Sequence, residues 1–359
     1  MNINRLDEFI SILPDDIDAA LVFDTSNRHY LTGVDTSDAG TLVVTREKAF
    51  FIIDSRYIEL AERYENEKMK VVLQENLFSQ IKDICSKQNV KKIGIETQTL
   101  SVSMHKTLAN RLENILIDTC TDISQIIMDL RSVKSEDEIN KIKQAQKITD
   151  EAFDYILGKI TEGKSEKDLA LELEFFMRSN GARAASFDII FIGGKNTSLP
   201  HGVPGDYRLK NGDFITIDFG ADVDGYKSDM TRTVALGKVS DDQKKVYETV
   251  LSAQKNAISQ IRAGNNCCEI DKIARDIIDN SGYCGLFGHA LGHSVGLDIH
   301  ESPNFSPKCN TILKSNMVLT VEPGIYLPQK FGVRIEDMVL VTENGVENLT
   351  KSTKSLIIL

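Results

Sequence analysis

Residues 212–233 read GDFITIDFGADVDGYKSDMTRT, and this stretch decides how the second half of the chain folds. Its two apolar, β-branched runs predict two neighbouring antiparallel strands, and the polar segment between them predicts a turn. Asp218 and Asp229 interrupt the runs. A buried, unpaired carboxylate costs several kcal/mol unless a cation or hydrogen bonds compensate. The two acids therefore indicate a site, although a pair of solvated acids on a sheet edge is the ordinary alternative.

The turn decides how these two acids face each other. If Val223 and Asp224 form a two-residue loop, Asp218 and Asp229 lie directly opposite on neighbouring strands, with Cβ atoms about 5 Å apart. If Gly225 adds a bulge instead, the pairing shifts by one residue. In the first case the like charges would repel each other unless a cation lay between them.

Two more acids interrupt apolar runs, Glu322 in VLTVEPGIY and Glu336 in GVRIEDMVLV. The chain has 6 histidines, and four of them lie in two short segments: His201 in LPHGVPG, and His289, His293 and His300 in GHALGHSVGLDIHE. A single histidine in such a loop is usually only a hydrogen-bonded polar residue, but the clustering favours a site. Four carboxylates and one imidazole suit two divalent ions such as Mn²⁺, Co²⁺, Fe²⁺ or Zn²⁺. Such a pair can activate water and polarise a carbonyl.

Composition limits the class of protein. The formal net charge of −11 over 359 residues argues against nucleic acid or an anionic membrane as the main partner. There is no apolar run near 18 residues, and the acidic N-terminal stretch MNINRLDEFISILPDD does not resemble a signal peptide. The 6 cysteines form no CxxC pair. We therefore expect a cytoplasmic protein with reduced thiols.

The pattern of elements predicts two domains. Strand-like runs at 19–23, 41–45, 49–53, 70–73 and 92–95 alternate with helical stretches at 56–66 and 77–88, which is typical of a compact α/β domain. From Ser135 the sequence pattern becomes that of a long amphipathic helix, and Glu138 completes a capping box with Ser135. Further helices after Ser165 and over 241–262 and 269–281, with strands near 187–192, 213–219, 317–323 and 333–341, predict an α+β domain. We place the domains at residues 1–128 and 129–359.

Several of these segments together resemble a known family. The ordered segments NTSLPHG, GDFITIDFGADVDGYKSDMTRT, GHALGHSVGLDIHESP, VLTVEPGIY and GVRIEDMVLV resemble the motifs of pita-bread-fold metallopeptidases. The Xaa-Pro branch, which comprises aminopeptidase P and proline dipeptidase, is the most similar. YLTGVD and IIDSRYIELA resemble the α/β N-terminal domain of that branch, which precedes its C-terminal pita-bread domain. The resemblance thus covers nearly the whole chain.

The resemblance implies a role for each candidate residue. Asp218 would bind one metal ion, His293 and Glu322 the other, and Asp229 and Glu336 would bridge both. Glu322 would also handle a proton of the attacking water. The outer histidines would hold substrate and stabilise the tetrahedral intermediate: His201, His289 and His300. Tyr326 and Arg334 match positions that orient the ligands. On a continuous strand Arg334 would share the face of Glu336, as a structural cation or as a substrate clamp.

The choice between aminopeptidase and dipeptidase depends on how the substrate's carboxylate is bound. Related dipeptidases carry an arginine shortly before the VEPG motif, whereas this chain offers only Lys308 and Lys314 there. Lysine is a point charge and lacks the planar fork of arginine. We therefore predict an Xaa-Pro aminopeptidase, with an Xaa-Pro dipeptidase as the alternative. The expected substrates are small peptides with proline in second position.

Three other functions on the same fold fit less well. Methionine aminopeptidases generally lack an N-terminal domain of this size. Creatinase works without metal because its ligands are replaced, whereas all five ligand positions are filled here. A non-enzymatic binding protein would have lost ligands and gained a basic tail. The predicted enzyme contains two divalent metal ions per chain, with manganese preferred over cobalt, zinc or iron, and forms a homodimer.

Overall fold

A computed structural model describes residues 5–359; the four residues before them, which begin the N-terminal stretch discussed above, lie outside the described range. The chain divides into two compact units, the first ending at Arg131 and the second beginning at Ser132. Each unit has its own sheets and its own buried clusters.

The first unit is built on a mixed six-stranded sheet of order β4-β3-β2-β1-β5-β6. Strand β1 is antiparallel to β2 and parallel to β5. The strands are β1 Ala19–Val22, β2 Thr41–Thr45, β3 Ala49–Ile53, β4 Met69–Leu73, β5 Lys92–Ile95 and β6 Leu116–Asp122. The helices are α1 Arg5–Ile12, α2 Thr25–Thr32, α3 Ile58–Glu62, α4 Leu77–Lys87, α5 Val102–Arg111 and α6 Ile123–Ser132. The predicted α/β domain is therefore confirmed, although the helix expected over 56–66 is shorter.

The second unit begins with the predicted long helix. Its helices are α7 Glu136–Leu157, α8 Glu166–Ser179, α9 Asp241–Gln260 and α10 Cys267–Ile278, with a 3-10 helix at Gly194–Ser198 and a π-helical turn at Asp279–Tyr283. The predicted capping box at the start of α7 is present. The Ser135 backbone N–H donates to Glu138 Oε2 at 2.6 Å, and the Glu138 N–H donates to Ser135 Oγ at 3.3 Å. This cap fixes the helix start at the position read from the sequence.

Antiparallel sheets make up the rest of the second unit. Their orders are β11-β10-β7, β12-β9-β8, β14-β13-β15-β18-β19 and β16-β17. The strands are β7 Ala184–Ala185, β8 Ile190–Gly193, β9 Phe214–Phe219, β10 Ala221–Val223, β11 Tyr226–Lys227, β12 Met230–Ala235, β13 Gly292–Ser294, β14 Glu301–Phe305, β15 Val318–Val321, β16 Gly324–Leu327, β17 Phe331–Arg334, β18 Asp337–Val341 and β19 Val346–Asn348. The predicted α+β arrangement is confirmed.

Two apolar clusters hold these sheets against the helices. One joins α7 and α8 to β8, β9 and β12 through residues such as Ala152, Leu173 and Ile217. The other joins α9 and α10 to β15 and β18, with Val250 and Val339 among its members. Complete burial of the larger aliphatic side chains, such as Leu173, Ile217, Val250 and Val339, contributes roughly 1.5–3 kcal/mol per side chain.

All the cysteines are free thiols. Within residues 5–359, no helix combines the length and apolar character needed to cross a membrane.

Candidate metal centre

The hairpin that carries the first two acids has a turn that differs from both of those considered from the sequence. Asp224 and Gly225 form the two-residue loop, with φ of 52° and 86°, as expected for a turn that needs positive φ at both positions. Asp218 consequently pairs with Thr231, so neither of the two registers considered from the sequence, direct pairing of Asp218 with Asp229 or a shift by one residue, is present. Asp229 lies two residues from Thr231, the partner of Asp218. Because side chains in a strand alternate between the two faces with a period of two, this shift keeps Asp218 and Asp229 on the same side. Both carboxylates therefore approach the same centre, where the charge of Asp218 adds to the effects of burial and of Glu336 in raising the pKa of Asp229.

Glu336 lies in a strand break that the sequence did not reveal. The strand predicted over 333–341 is two strands in different sheets, since β17 ends at Arg334 and β18 begins at Asp337. Arg334 and Glu336 therefore do not share one strand face as predicted. Instead, both reach the hydroxyl of Thr231, which donates to Glu336 Oε2 at 2.7 Å and accepts from Arg334 Nε at 3.1 Å.

His293 and Glu322 approach from the five-stranded sheet. His293 lies on β13, and Glu322 directly follows β15. The Nδ1 atom of His293 contacts the carbonyl oxygen of Ser294 at 3.2 Å, which makes Nδ1 the protonated nitrogen. Its Nε2 atom then points a lone pair at two carboxylates, 3.4 Å from Glu322 Oε1 and 3.6 Å from Asp229 Oδ2. Burial and the neighbouring His300 lower the pKa of His293 to about 4, so the ring is neutral.

The acids are strongly perturbed by burial and by one another. Burial, then repulsion from Glu336 and Asp218, raises the pKa of Asp229 well above its usual range. Burial and repulsion from Glu322 do the same to the pKa of Glu336. Burial raises the pKa of Glu322 to about 8, although the Arg334 cation opposes the change. One guanidinium thus faces four carboxyl groups, and all four can be ionised together only if further positive charge, such as bound metal ions, lies among them.

The donor set fits divalent cations. Asp229, His293 and Glu336 offer ligand atoms that all lie within 4.8 Å of one another. Asp218 Oδ1 and Glu336 Oε1 are buried without a hydrogen-bond partner among the described residues. Carboxylate oxygens and a neutral imidazole nitrogen that converge on one point form a donor set that a bound divalent cation satisfies.

A chain of hydrogen bonds leads outward from Asp218. Arg334 donates from Nη2 to Asp218 Oδ2 at 2.5 Å and from Nη1 to the Tyr326 hydroxyl at 2.8 Å. The Tyr326 hydroxyl lies 2.9 Å from His289 Nε2, and His289 Nδ1 lies 2.8 Å from the carbonyl oxygen of Ala290. Nδ1 therefore donates and Nε2 accepts. Burial and the nearby Arg334 cation lower the pKa of His289 to about 4, which keeps the ring neutral.

The three outer histidines have different environments. Both ring nitrogens of His289 are engaged within the protein, so it donates to a substrate only if these contacts rearrange. His300 is exposed and its ring lies 4.4 Å from that of His293, centroid to centroid. His201 is exposed on the loop after the 3-10 helix and contributes to the low pKa of His289. His201 and His300 are thus the two that remain open to a ligand.

Several residues that support the centre were not found from the sequence. The fully buried Arg232 pairs with Asp337 at 2.9 Å and also donates to the backbone carbonyl of Glu336. Lys134 and Glu301 form a second buried ion pair at 3.1 Å behind the loop that follows His293. Arg232 lies in the apolar run MTRTVAL, where a charge is as conspicuous as an acid, so the same criterion would have detected it.

The two lysines considered for binding a substrate carboxylate are both exposed. Lys308 and Lys314 lie in the segment that joins β14 to β15. Exposed ammonium groups are strongly hydrated, so their contribution to carboxylate binding would be modest.

Comparison with known proteins extends these observations over the whole chain. Residues 140–343 match metallopeptidase family M24, and residues 5–133 match the creatinase/prolidase N-terminal domain. A protein named Xaa-Pro dipeptidase from Pyrococcus furiosus is 39% identical over 98% of this chain and 99% of its own length.

Solved structures agree over the same span. A structure described as Xaa-Pro dipeptidase from Bacillus anthracis superposes with a TM-score of 0.94 at 38% identity, covering 99% of each chain. One described as X-Pro aminopeptidase from Thermotoga maritima MSB8 gives 0.89 at 35% identity, covering 96% of this chain and 98% of the other.

Proposed function

This chain belongs to metallopeptidase family M24, in the Xaa-Pro branch of the pita-bread enzymes, and on that premise we propose that it is an Xaa-Pro dipeptidase. It would hydrolyse the bond between an N-terminal residue and a C-terminal proline. The predicted fold, with a creatinase/prolidase N-terminal domain ahead of the pita-bread domain, and the predicted metallopeptidase class are both confirmed.

Our proposal of a dipeptidase differs from the aminopeptidase that we predicted from the sequence. Aminopeptidase activity, our first prediction, is not confirmed, and the relatives named dipeptidase or prolidase favour the alternative. The missing arginine before the VEPG motif remains the observation in favour of an aminopeptidase. The observation that carries our proposal is the cluster of buried carboxylates around the neutral His293, in a chain that matches an Xaa-Pro dipeptidase from end to end.

We assign metal binding to the five residues that surround the centre, Asp218, Asp229, His293, Glu322 and Glu336. The number and identity of the ions are part of the proposal, with two ions per chain and manganese preferred. Divalent metal bound there would supply Lewis-acid activation of water and of the scissile carbonyl. The Arg334–Tyr326–His289 chain would hold Asp218 in orientation, as supporting hydrogen bonds do around metal ligands.

The other residues would bind the peptide and move the proton. Glu322 would take a proton from the attacking water at a carboxylate oxygen and deliver it to the proline nitrogen as the peptide bond breaks. His201 and His300, whose rings are open to a ligand, would hold the peptide and donate to the developing oxyanion. Proline lacks an N–H and has a fixed φ, so a site built for it need not hydrogen-bond an extended backbone.

Peptide length distinguishes the two candidate activities. The metal-supplemented enzyme is assayed with Ala-Pro, Ala-Pro-Ala and Ala-Ala. We expect Ala-Pro to be hydrolysed with a kcat/KM at least about tenfold above that of the other two, a ratio within the range that single binding contacts supply. A kcat/KM for Ala-Pro-Ala equal to or above that for Ala-Pro would establish the aminopeptidase instead. No hydrolysis of either proline peptide would overturn both.

A further inference from the structure

The loop that carries His201 is tied at both ends to one buried carboxylate. This loop, residues 194–205, leaves β8 after Gly193 and passes through the 3-10 helix. Glu166, the first residue of α8, is 1% exposed. It is not among the residues proposed above to bind metal, orient the metal ligands or bind the peptide. It lies in the same unit as the metal centre.

Three donors converge on this carboxylate. Glu166 Oε1 accepts from the Gly193 backbone N–H and from Asn196 Nδ2, both at 2.8 Å. Glu166 Oε2 accepts from the Gly205 backbone N–H at 3.0 Å. These contacts join the beginning of the loop to its end. Hydrogen bonds to an ionised acceptor are about twice as strong as neutral ones, and the N-terminus of α8 stabilises the charge further.

The middle of the loop is attached to the metal centre by two other bonds. Arg334, which holds Asp218, donates from Nη1 to the carbonyl oxygen of Pro200 at 3.1 Å. The Gly332 backbone N–H donates to Thr197 Oγ1 at 2.9 Å. His201 itself is exposed, so its place depends chiefly on how the backbone of the loop is held. If the two ends of the loop were less tightly held, the His201 ring would therefore move as well.

We propose that Glu166 is a positioning residue for substrate capture, which closes the base of the 194–205 loop so that His201 is held where the peptide binds. The inference rests on the proposed function, because it takes His201 to contact the substrate. Glu166 touches neither substrate nor metal. Its effect passes through the loop, and a displacement of about 1 Å in a positioned group can cost up to 100-fold in rate.

A double-mutant cycle tests this role. Glu166→Gln keeps the size of the side chain but sets an amide NH₂ against one of the three donors. In the holoenzyme we expect it to lower kcat/KM for Ala-Pro by about 10- to 100-fold. In the His201→Ala background the same change should alter kcat/KM by less than about twofold, because coupled residues are not additive. Equal losses in both backgrounds, or no loss in either, would overturn the inference.

Asp168→Asn is the matched control. Asp168 also lies in the first turn of α8, is exposed, and donates its backbone N–H to Ser165 Oγ. The substitution removes the same charge from the same helix end without touching the loop, so kcat/KM should not change. A loss as large as that of Glu166→Gln would mean that charge at the helix end, and not the clamp, is responsible.

A second variant and a measurement that does not depend on catalysis test the same role of Glu166. Asn196→Ala removes one donor from the loop side and should show the same coupling to His201 if Glu166→Gln does not fold. The chain contains no tryptophan, and Val203 is 85% exposed, so Val203→Trp reports on the loop alone. Its fluorescence anisotropy should fall when Glu166→Gln is added, and unchanged anisotropy would overturn the inference. Inactivity of the wild-type enzyme on Ala-Pro would refute the proposed function while leaving this measurement valid.

Discussion

One hydroxyl group connects Glu336, which lies in the break between β17 and β18, with Arg334, the last residue of β17. Thr231 donates to the carboxylate and accepts from the guanidinium, so removing its hydroxyl leaves two buried charged groups each short of a partner. We expect Thr231→Val to lower the affinity for Mn²⁺ by about 10- to 100-fold, the usual effect of losing a group that orients a ligand. Calorimetric titration of the metal-free protein measures it.

Thr216→Val provides the comparison for that experiment. Thr216 is also buried and lies on the neighbouring strand β9, but it is not one of the groups that hold a ligand side chain. Its substitution should leave the affinity for Mn²⁺ within about twofold. If both variants bind Mn²⁺ as the wild type does, Thr231 has no part in shaping the centre.

Individual site residues could be predicted from the sequence only where a charged residue interrupts an apolar run. Asp218, Asp229 and Glu336 are conspicuous because they interrupt apolar runs, and the structure brings them together. Thr231 is not conspicuous, because threonine is common in strands whether or not its hydroxyl has a partner. The engagement of both nitrogens of His289 depends on Tyr326, a residue distant in sequence, and no local pattern predicts it.

At the scale of an element, the hairpin depends on a turn that needs positive φ. Gly225 has φ of 86°, where a Cβ atom is unfavourable. We expect Gly225→Ala to destabilise the second unit by about 1–2 kcal/mol, since a left-handed conformation costs this much for other residues. Urea unfolding followed by circular dichroism measures the loss. Gly345→Ala, in open space and without positive φ, is the control, and an equal effect in the two variants would contradict the explanation.

The type of each element, helix or strand, was predicted well. The pairing of strands and the breaks within them were predicted less well. The Asp-Gly pair at 224–225 is a strong signal for a two-residue turn, and choosing it would have given the observed pairing of Asp218 with Thr231. The break between β17 and β18 could not be read. GVRIEDMVLV is continuous in β-forming residues, and only the change of sheet at Ile335 and Glu336 separates the two strands.

At the scale of the whole molecule, the family was predictable because the motifs extend over nearly the full chain in a fixed order. The chain matches the creatinase/prolidase N-terminal domain over residues 5–133 and metallopeptidase family M24 over residues 140–343. The choice between dipeptide and longer peptides was not predictable to the same degree. It depends on the group that meets the substrate's carboxylate, and a pair of exposed lysines gives no sharp expectation. The homodimer and the cytoplasmic location stay predictions.

The central claim is that the buried carboxylates and His293 bind two divalent ions on which hydrolysis depends. Metal-free protein is titrated with Mn²⁺ while bound metal and Ala-Pro hydrolysis are measured on the same samples. We predict saturation at two ions per chain, hydrolysis that rises with occupancy, and a loss of at least about 100-fold in affinity or rate for Asp229→Ala. Full hydrolysis by the metal-free protein, or saturation of both signals at one ion per chain, would contradict the account.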